Sequence, residues 1–242
     1  MKTNLGELIH GDSLEILKTI PNKSIDLILT DPPYFYESIR KKQNKLKDNN
    51  VKSVGKYIVK NALDLVSIKS TKHIEYEKYL NEFKRITKFM NCLIWLNIKQ
   101  IDQYLPIIRK NKWRWYLLKW IKTNPIPRNN PYYEDIEYCL WIFETGAKYT
   151  KTYENCKTVY YYPIGQDENI NHPTVKPIEM IKEQLFKHSQ PGDTVLDCFL
   201  GSGTTAVACE QLNQRWIGIE INEKYYKLSK QRLSNIQTTL FI

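Results

Sequence analysis

Residues 194–222 read TVLDCFLGSGTTAVACEQLNQRWIGIEIN. A short apolar run from Thr194 to Cys198 stops on a glycine turn and opens into a small-residue helix to about Leu212. The chain then returns as a second apolar run, Arg215 to Glu220. Strand, glycine turn, helix and strand in this order commit the segment to a parallel α/β sheet. Glycine turns let a ligand approach the backbone, and a helix N-terminus behind one offers N–H groups. Glu220, nineteen residues after Gly201, stands where an acid can accept hydrogen bonds from two ribose hydroxyls. A nucleoside-containing ligand is therefore expected. The third glycine of the dinucleotide fingerprint is replaced by Ala206, which argues against a nicotinamide oxidoreductase.

The rest of the chain repeats the same alternation. Leu8–His10 reads as a strand, and Ser13–Ile20 as a helix capped by Asp12. Ile25–Thr30 is a nearly continuous apolar run, as a buried parallel strand should be. Tyr76, Tyr79, Leu80, Phe83, Ile86 and Met90 fall at helical spacing. Cys92–Ile98, Trp113–Ile121 and Ile136–Phe143 are further strands, with a turn over Asn124–Pro131. Pro177 stands at a helix start, and Asn222 caps the last helix. The expected fold is α/β: a doubly wound, mostly parallel sheet forming a single domain over 1–242. Two regions break the rhythm: 36–72, read as a mobile basic insertion, and 146–171, read as irregular.

Charge is the informative part of the composition. Thirty-six Lys and Arg against 26 Asp and Glu give a net +10, and a basic protein of this kind usually meets a polyanion. From Arg40 to Lys60 there are eight cations and one acid. No apolar run approaches the roughly 20 residues a membrane helix needs, and no signal peptide is visible. Five scattered cysteines form no C-x-x-C pair, which suits reduced thiols in a cytoplasmic protein. The four histidines are dispersed, so no metal site is expected.

The second motif is Asp31-Pro32-Pro33-Tyr34, directly after the strand ending at Thr30. Two prolines fix the backbone and remove two N–H donors while their carbonyls remain acceptors. The Asp31 carboxylate adds an acceptor, and Tyr34 an aromatic face. Such a set suits an exocyclic amino group on a flat ring, with acceptors for its hydrogens and a stacking surface for the base.

DPPY preceding F-x-G-x-G resembles the beta class of S-adenosylmethionine-dependent DNA amino-methyltransferases, a circular permutation of a Rossmann-like fold in which the catalytic half comes first. The resemblance covers most of the chain. Asn171–Pro177 (NHPTVKP) resembles the family's motif before the cofactor strand, and Asp12 in GDSLEIL resembles the residue that contacts the cofactor's adenine. It implies Asp31, Pro32, Pro33 and Tyr34 as catalytic residues. It implies a cofactor site of Asp12, His172, Thr174, Lys176, Asp197, Phe199, Gly201, Ser202, Gly203, Thr204, Thr205, Glu220, Ile221 and Asn222.

An Asp at the first position of DPPY leans, in this family, toward adenine N6, and a Ser toward cytosine N4. The expected activity is thus methylation of adenine N6 in a short double-stranded DNA sequence, with the base flipped out of the stack. A cytosine-N4 enzyme, an RNA methyltransferase and a non-catalytic nucleic-acid-binding subunit remain alternatives. DNA contact is expected from Arg40, Lys41, Lys42, Lys45, Lys47, Lys52 and Lys56. A second set, Lys148, Lys151 and Lys157, lies in the tyrosine-rich 146–171 region, a small target-recognition region. The partners expected are DNA and a cognate restriction endonuclease, for a monomer or homodimer.

Overall fold

The computed structural model describes residues 1–33, 75–125, 131–150, 152, 156–164 and 175–239. The chain divides into two units, Met1–Pro32 with Tyr76–Ile242, and Pro33–Glu75. The second lies almost wholly outside the described residues, and so does the insertion expected over 36–72.

The larger unit is built on one eight-stranded sheet in the order β1-β8-β7-β2-β3-β5-β4-β6. The strands are β1 Gly6–His10, β2 Leu27–Thr30, β3 Asn91–Leu96, β4 Arg114–Lys122, β5 Ile136–Phe143, β6 Val159–Tyr162, β7 Thr194–Asp197 and β8 Arg215–Glu220. All run parallel except β5, which is antiparallel to both β3 and β4.

Among the described residues six α-helices cover the sheet: α1 Ser13–Thr19, α2 Tyr76–Ile86, α3 Ile101–Lys110, α4 Ile178–His188, α5 Thr204–Gln211 and α6 Glu223–Thr239. They separate onto two faces. Leu80, Phe83 and Ile86 of α2 and Ile108 of α3 join Leu17 of α1 in one core cluster. Met180, Ile181 and Leu185 of α4, Ala206 and Val207 of α5, and Leu233 of α6 line the other. Strand residues feed them alternately: Leu27 and Leu29 face one cluster and Ile28 the other. Burial on both faces explains why β2 and β3 are apolar without alternation.

Chain order runs outward from the centre of the sheet in both directions. From β7 it passes through β8, and from β2 through β3, so the strand order reverses between β7 and β2. Ligands bind at the carboxyl ends of the strands at such a switch point. The strand that comes first in the chain, β1, pairs with the last, β8, in register His10↔Glu220. This is the permuted order expected from the motifs.

Several elements differ from their sequence reading. The run Ile25–Thr30 becomes a strand only at Leu27, and Ile25 makes an isolated bridge to Thr87. The third strand ends at Leu96 because Asn97 caps a 3-10 turn over Ile98–Gln100. Helix α3 was not expected: Pro106 lies within it, a residue that ordinarily marks a break. Strand β6 falls inside the region read as irregular. It is an edge strand that pairs only with β4, and its ladder depends on a tertiary partner that local spacing does not reveal. No helix among the described residues is long and apolar enough to cross a membrane.

Candidate active site

The switch point brings the two motifs together. β2 and β7 pair with Leu27 opposite Val195 and Ile28 opposite Leu196. Asp31 follows the end of β2, and Phe199 opens the glycine turn after the end of β7, so both stand at the carboxyl end of this strand pair. The hydroxyl of Thr30 donates to Asp197 Oδ1 at 2.8 Å, tying the two strand ends.

Asp197 also accepts from Thr205 Oγ1 at 2.7 Å and from the Phe199 amide at 3.1 Å. One buried carboxylate thus joins the end of β7, the end of β2 and the start of α5. Burial pushes it up to about 6, against the pull of its Thr205, Thr30 and Phe199 donors.

The glycine turn is shaped by positive φ at Gly201 (56°) and Gly203 (88°), a region that L side chains avoid. A Cβ at position 203 would meet Ser229 at 3.1 Å. Ser229 Oγ donates to the Gly201 carbonyl at 2.6 Å, and Arg232 Nη1 donates to the Ser202 carbonyl at 2.6 Å and to Thr204 Oγ1 at 3.2 Å. Sequence reasoning missed both braces, because they come from the far helix α6. Arg232→Met removes charge-assisted bonds worth about 1.5–3 kcal/mol each. Cofactor affinity of that variant should fall about tenfold in calorimetric titration, with the fold retained.

Glu220 sits at the end of β8 beside the turn. Its Oε2 accepts from the Gly201 amide and its Oε1 from the Asn222 amide, each at 2.7 Å. Burial raises its pKa, opposed by those amides. Asn222 caps α6, accepting from the Lys224 amide at 2.9 Å. Ile221 is an exposed apolar side chain next to Glu220. Asp12 caps α1 through the amides of Leu14 and Glu15, and lies at the same sheet edge because His10 pairs with Glu220. Ser202, Thr204 and Thr205 are buried within the turn and the first turn of α5.

Lys176, expected among the cofactor residues, pairs with two acids. Its Nζ lies 2.5 Å from Asp31 Oδ2 and 3.1 Å from Glu137 Oε2, and 5.2 Å from the centre of the Trp95 ring. Glu137 in turn pairs with Lys122 at 2.8 Å. The one available signal for Glu137 was its position as the sole charge in the apolar strand IEYCLWIF. Pro32 is buried and Pro33 exposed.

Lys148, expected among the DNA contacts, pairs with Asp193 at 2.6 Å and lies 3.7 Å from Asp26. Both acids precede the strands β7 and β2, so Lys148 sits at the amino edge of the sheet, opposite the motifs. Its charge offsets two acids of the fold. Lys157 is exposed shortly before β6. Tyr34, His172, Thr174, Lys151 and the cations Arg40, Lys41, Lys42, Lys45, Lys47, Lys52 and Lys56 lie outside the described residues.

A glycine turn at positive φ, a helix start without a side-chain cap and a buried acid on the neighbouring strand fit an adenosine-bearing cofactor. On a doubly wound sheet with DPPY at the neighbouring strand end, they agree with the S-adenosylmethionine-dependent methyltransferase that the two motifs resemble.

Known proteins agree. Type II methyltransferase M.HinfI of Haemophilus influenzae is 30% identical, over 98% of this chain and 72% of that protein. The crystal structure of the M1.HpyAVI–SAM complex superposes with a TM-score of 0.67 at 25% identity, covering 94% of this chain and 100% of that one. The PvuII DNA methyltransferase, described as cytosine-N4-specific, shares the fold at a TM-score of 0.69 and 17% identity, over 96% of this chain and 87% of its own. Residues 25–231 match the model of the N6/N4 DNA methylases, and the chain belongs to that family. Its cofactor is S-adenosylmethionine and its substrate DNA.

Proposed function

We propose that the chain methylates the N6 amino group of adenine within a short double-stranded sequence, on a base turned out of the helix. The observation that carries this reading is the placement of Asp31. It is a carboxylate with 29% of its side chain exposed, at the carboxyl end of β2 and one strand from the cofactor turn.

S-adenosylmethionine supplies an electrophilic methyl group on its sulfonium. The adenine amine is a weak nucleophile, because its lone pair is delocalised into the ring. Asp31 and the Pro32 carbonyl would each accept one of its hydrogens, which favours a pyramidal nitrogen with its lone pair directed at the methyl. The nitrogen then gains the methyl and gives up one hydrogen as a proton. Positioning is the main contribution of the protein. In the duplex the amino group is paired, so the base must leave the stack. Tyr34 would offer a ring to replace about 1–3 kcal/mol of lost stacking.

The Asp of DPPY supports adenine over cytosine through the family leaning noted above; the fold itself is shared with a cytosine-N4 enzyme. Buried Asp197 and Glu220 with the glycine turn would hold the cofactor, and exposed Ile221 would offer an apolar surface to its adenine. The test is digestion of DNA, methylated by the purified chain, to nucleosides. N6-methyldeoxyadenosine is the expected product; N4-methyldeoxycytidine would overturn the reading.

A further inference from the structure

We propose that Lys176 is a positioning residue of methyl transfer, holding Asp31 ionised and aimed at the target amine from beneath, rather than a cofactor contact. The inference rests on the catalytic reading of Asp31 and holds for either target base.

The geometry is a partly buried chain of alternating charge across four segments. Lys122 of β4 pairs with Glu137 of β5, Glu137 with Lys176 just before α4, and Lys176 with Asp31 after β2. Lys176 is only 7% exposed. It lies over the face of Trp95, which itself packs edge-on against Trp120. A lysine placed this deeply between two carboxylates has a fixed ammonium, and so fixes the Asp31 oxygen it binds.

Burial alone would lower the Lys176 ammonium, but Asp31 and Glu137 outweigh it and hold it above its ordinary value. Burial would raise Glu137, but Lys176 and Lys122 bring it below the usual carboxylate range. The lysine therefore stays charged across the working pH range. Asp31 needs that charge. Asp197 of β7, a second acid, also acts on Asp31, and the Lys176 ammonium opposes that repulsion. A carboxylate whose proton is disfavoured by an adjacent cation accepts a hydrogen bond from the amine throughout the reaction. The leaving proton then passes to water.

Glu137 has a distinct part. Its carboxylate is shared between Lys176 and Lys122 and offsets the positive charge they bring together. The result is one Asp31–Lys176 pair seated on one Glu137–Lys122 pair, neutral overall.

The test compares Lys176→Met, Lys176→Arg and Asp31→Ala by steady-state kinetics across pH and by calorimetric titration with S-adenosylmethionine. Lys176→Met should lower kcat by about 100-fold or more and leave cofactor affinity within about twofold. The acidic limb of its kcat profile should move to higher pH, since the neighbouring cation is gone. Lys176→Arg should return the limb to its wild-type position and recover part of kcat. If Lys176→Met does not fold, Lys176→Met with Glu137→Gln removes opposite charges together, and the same shift is expected.

Loss of cofactor binding in Lys176→Met would overturn the proposal and return the residue to the cofactor site. A lowered kcat with an unmoved acidic limb would also overturn it, leaving a structural ion pair. Asp31→Ala separates the layers: an active Asp31→Ala defeats the catalytic reading itself, whereas an inactive Asp31→Ala beside a fully active Lys176→Met defeats only this inference.

Discussion

Asp31→Ala should lose methyl transfer by at least about 1,000-fold while binding S-adenosylmethionine with near wild-type affinity. The magnitude follows from what the carboxylate is asked to do. Orienting a reacting group is worth several kcal/mol, and a charge-assisted hydrogen bond about 1.5–3 kcal/mol more. The substitution also takes from Lys176 one of its two carboxylate neighbours, leaving the pair with Glu137, so some local rearrangement is expected. The cofactor turn should not share it, because Gly201 and Asn222 are held by Glu220 and the turn by Ser229 and Arg232. Single-turnover methylation with labelled cofactor, beside calorimetry, reads both halves. A variant that loses cofactor binding would place Asp31 in the cofactor site. A variant that keeps its rate would remove it from the chemistry. Asp31→Asn is the informative companion: it keeps an acceptor oxygen but loses the charge that pairs with Lys176, so it should fall between wild type and Ala.

The parts of this site legible in the sequence are those whose chemistry is local. A glycine turn needs Gly201 and Gly203 because the backbone there has positive φ, and DPPY is stiff because of its prolines. The strands carrying both motifs are buried on both faces, so β2 and β7 announce themselves as short apolar runs. Asp12 and Asn222 were legible as caps, because a cap bonds amides two and three residues on. What was not legible is whatever depends on a distant partner. Lys176 lies 145 residues from Asp31, and nothing in NHPTVKP tells an ammonium bound to a carboxylate from one bound to a ligand. Glu137 looked like an exception in an apolar strand and became part of the site only through Lys122 and Lys176. Lys148 is a similar case: in a run of lysines and tyrosines its charge reads as a nucleic-acid contact, and its pairs with the distant Asp193 and Asp26 leave no local trace.

The acid response of the fold should be set by two buried groups of opposite sign. His188 of α4 is fully buried and lies against Trp141 with ring centroids 4.5 Å apart. Neither of its ring nitrogens has a hydrogen-bond partner among the described residues. Burial, helped by Lys187, pushes it down from 6.5 to about 3. As pH falls below 6.5 the unfolded chain takes up a proton that the folded one refuses. Stability then drops by about 1.4 kcal/mol per pH unit until the folded value is reached.

Asp197 works against this. Its folded value of about 6 lies above its ordinary 3.8, so in that window the folded chain binds a proton the unfolded one does not. Stability gains about 1.4 kcal/mol per unit as pH falls from 6 to 3.8. In the cofactor-free protein the two slopes nearly cancel between those values. Asp197→Asn should remove the compensation, and relative to wild type its unfolding free energy should fall by about 3 kcal/mol between pH 7 and pH 4. His188→Leu should show the reverse, gaining about 3 kcal/mol relative to wild type over the same interval. Urea unfolding at pH 7, 5 and 4 measures both. Differences that stay constant with pH in both variants would mean that neither group is held away from water as tightly as the packing requires. Opposite drifts would tie the acid stability of the domain to the same carboxylate that joins β2, β7 and the cofactor turn.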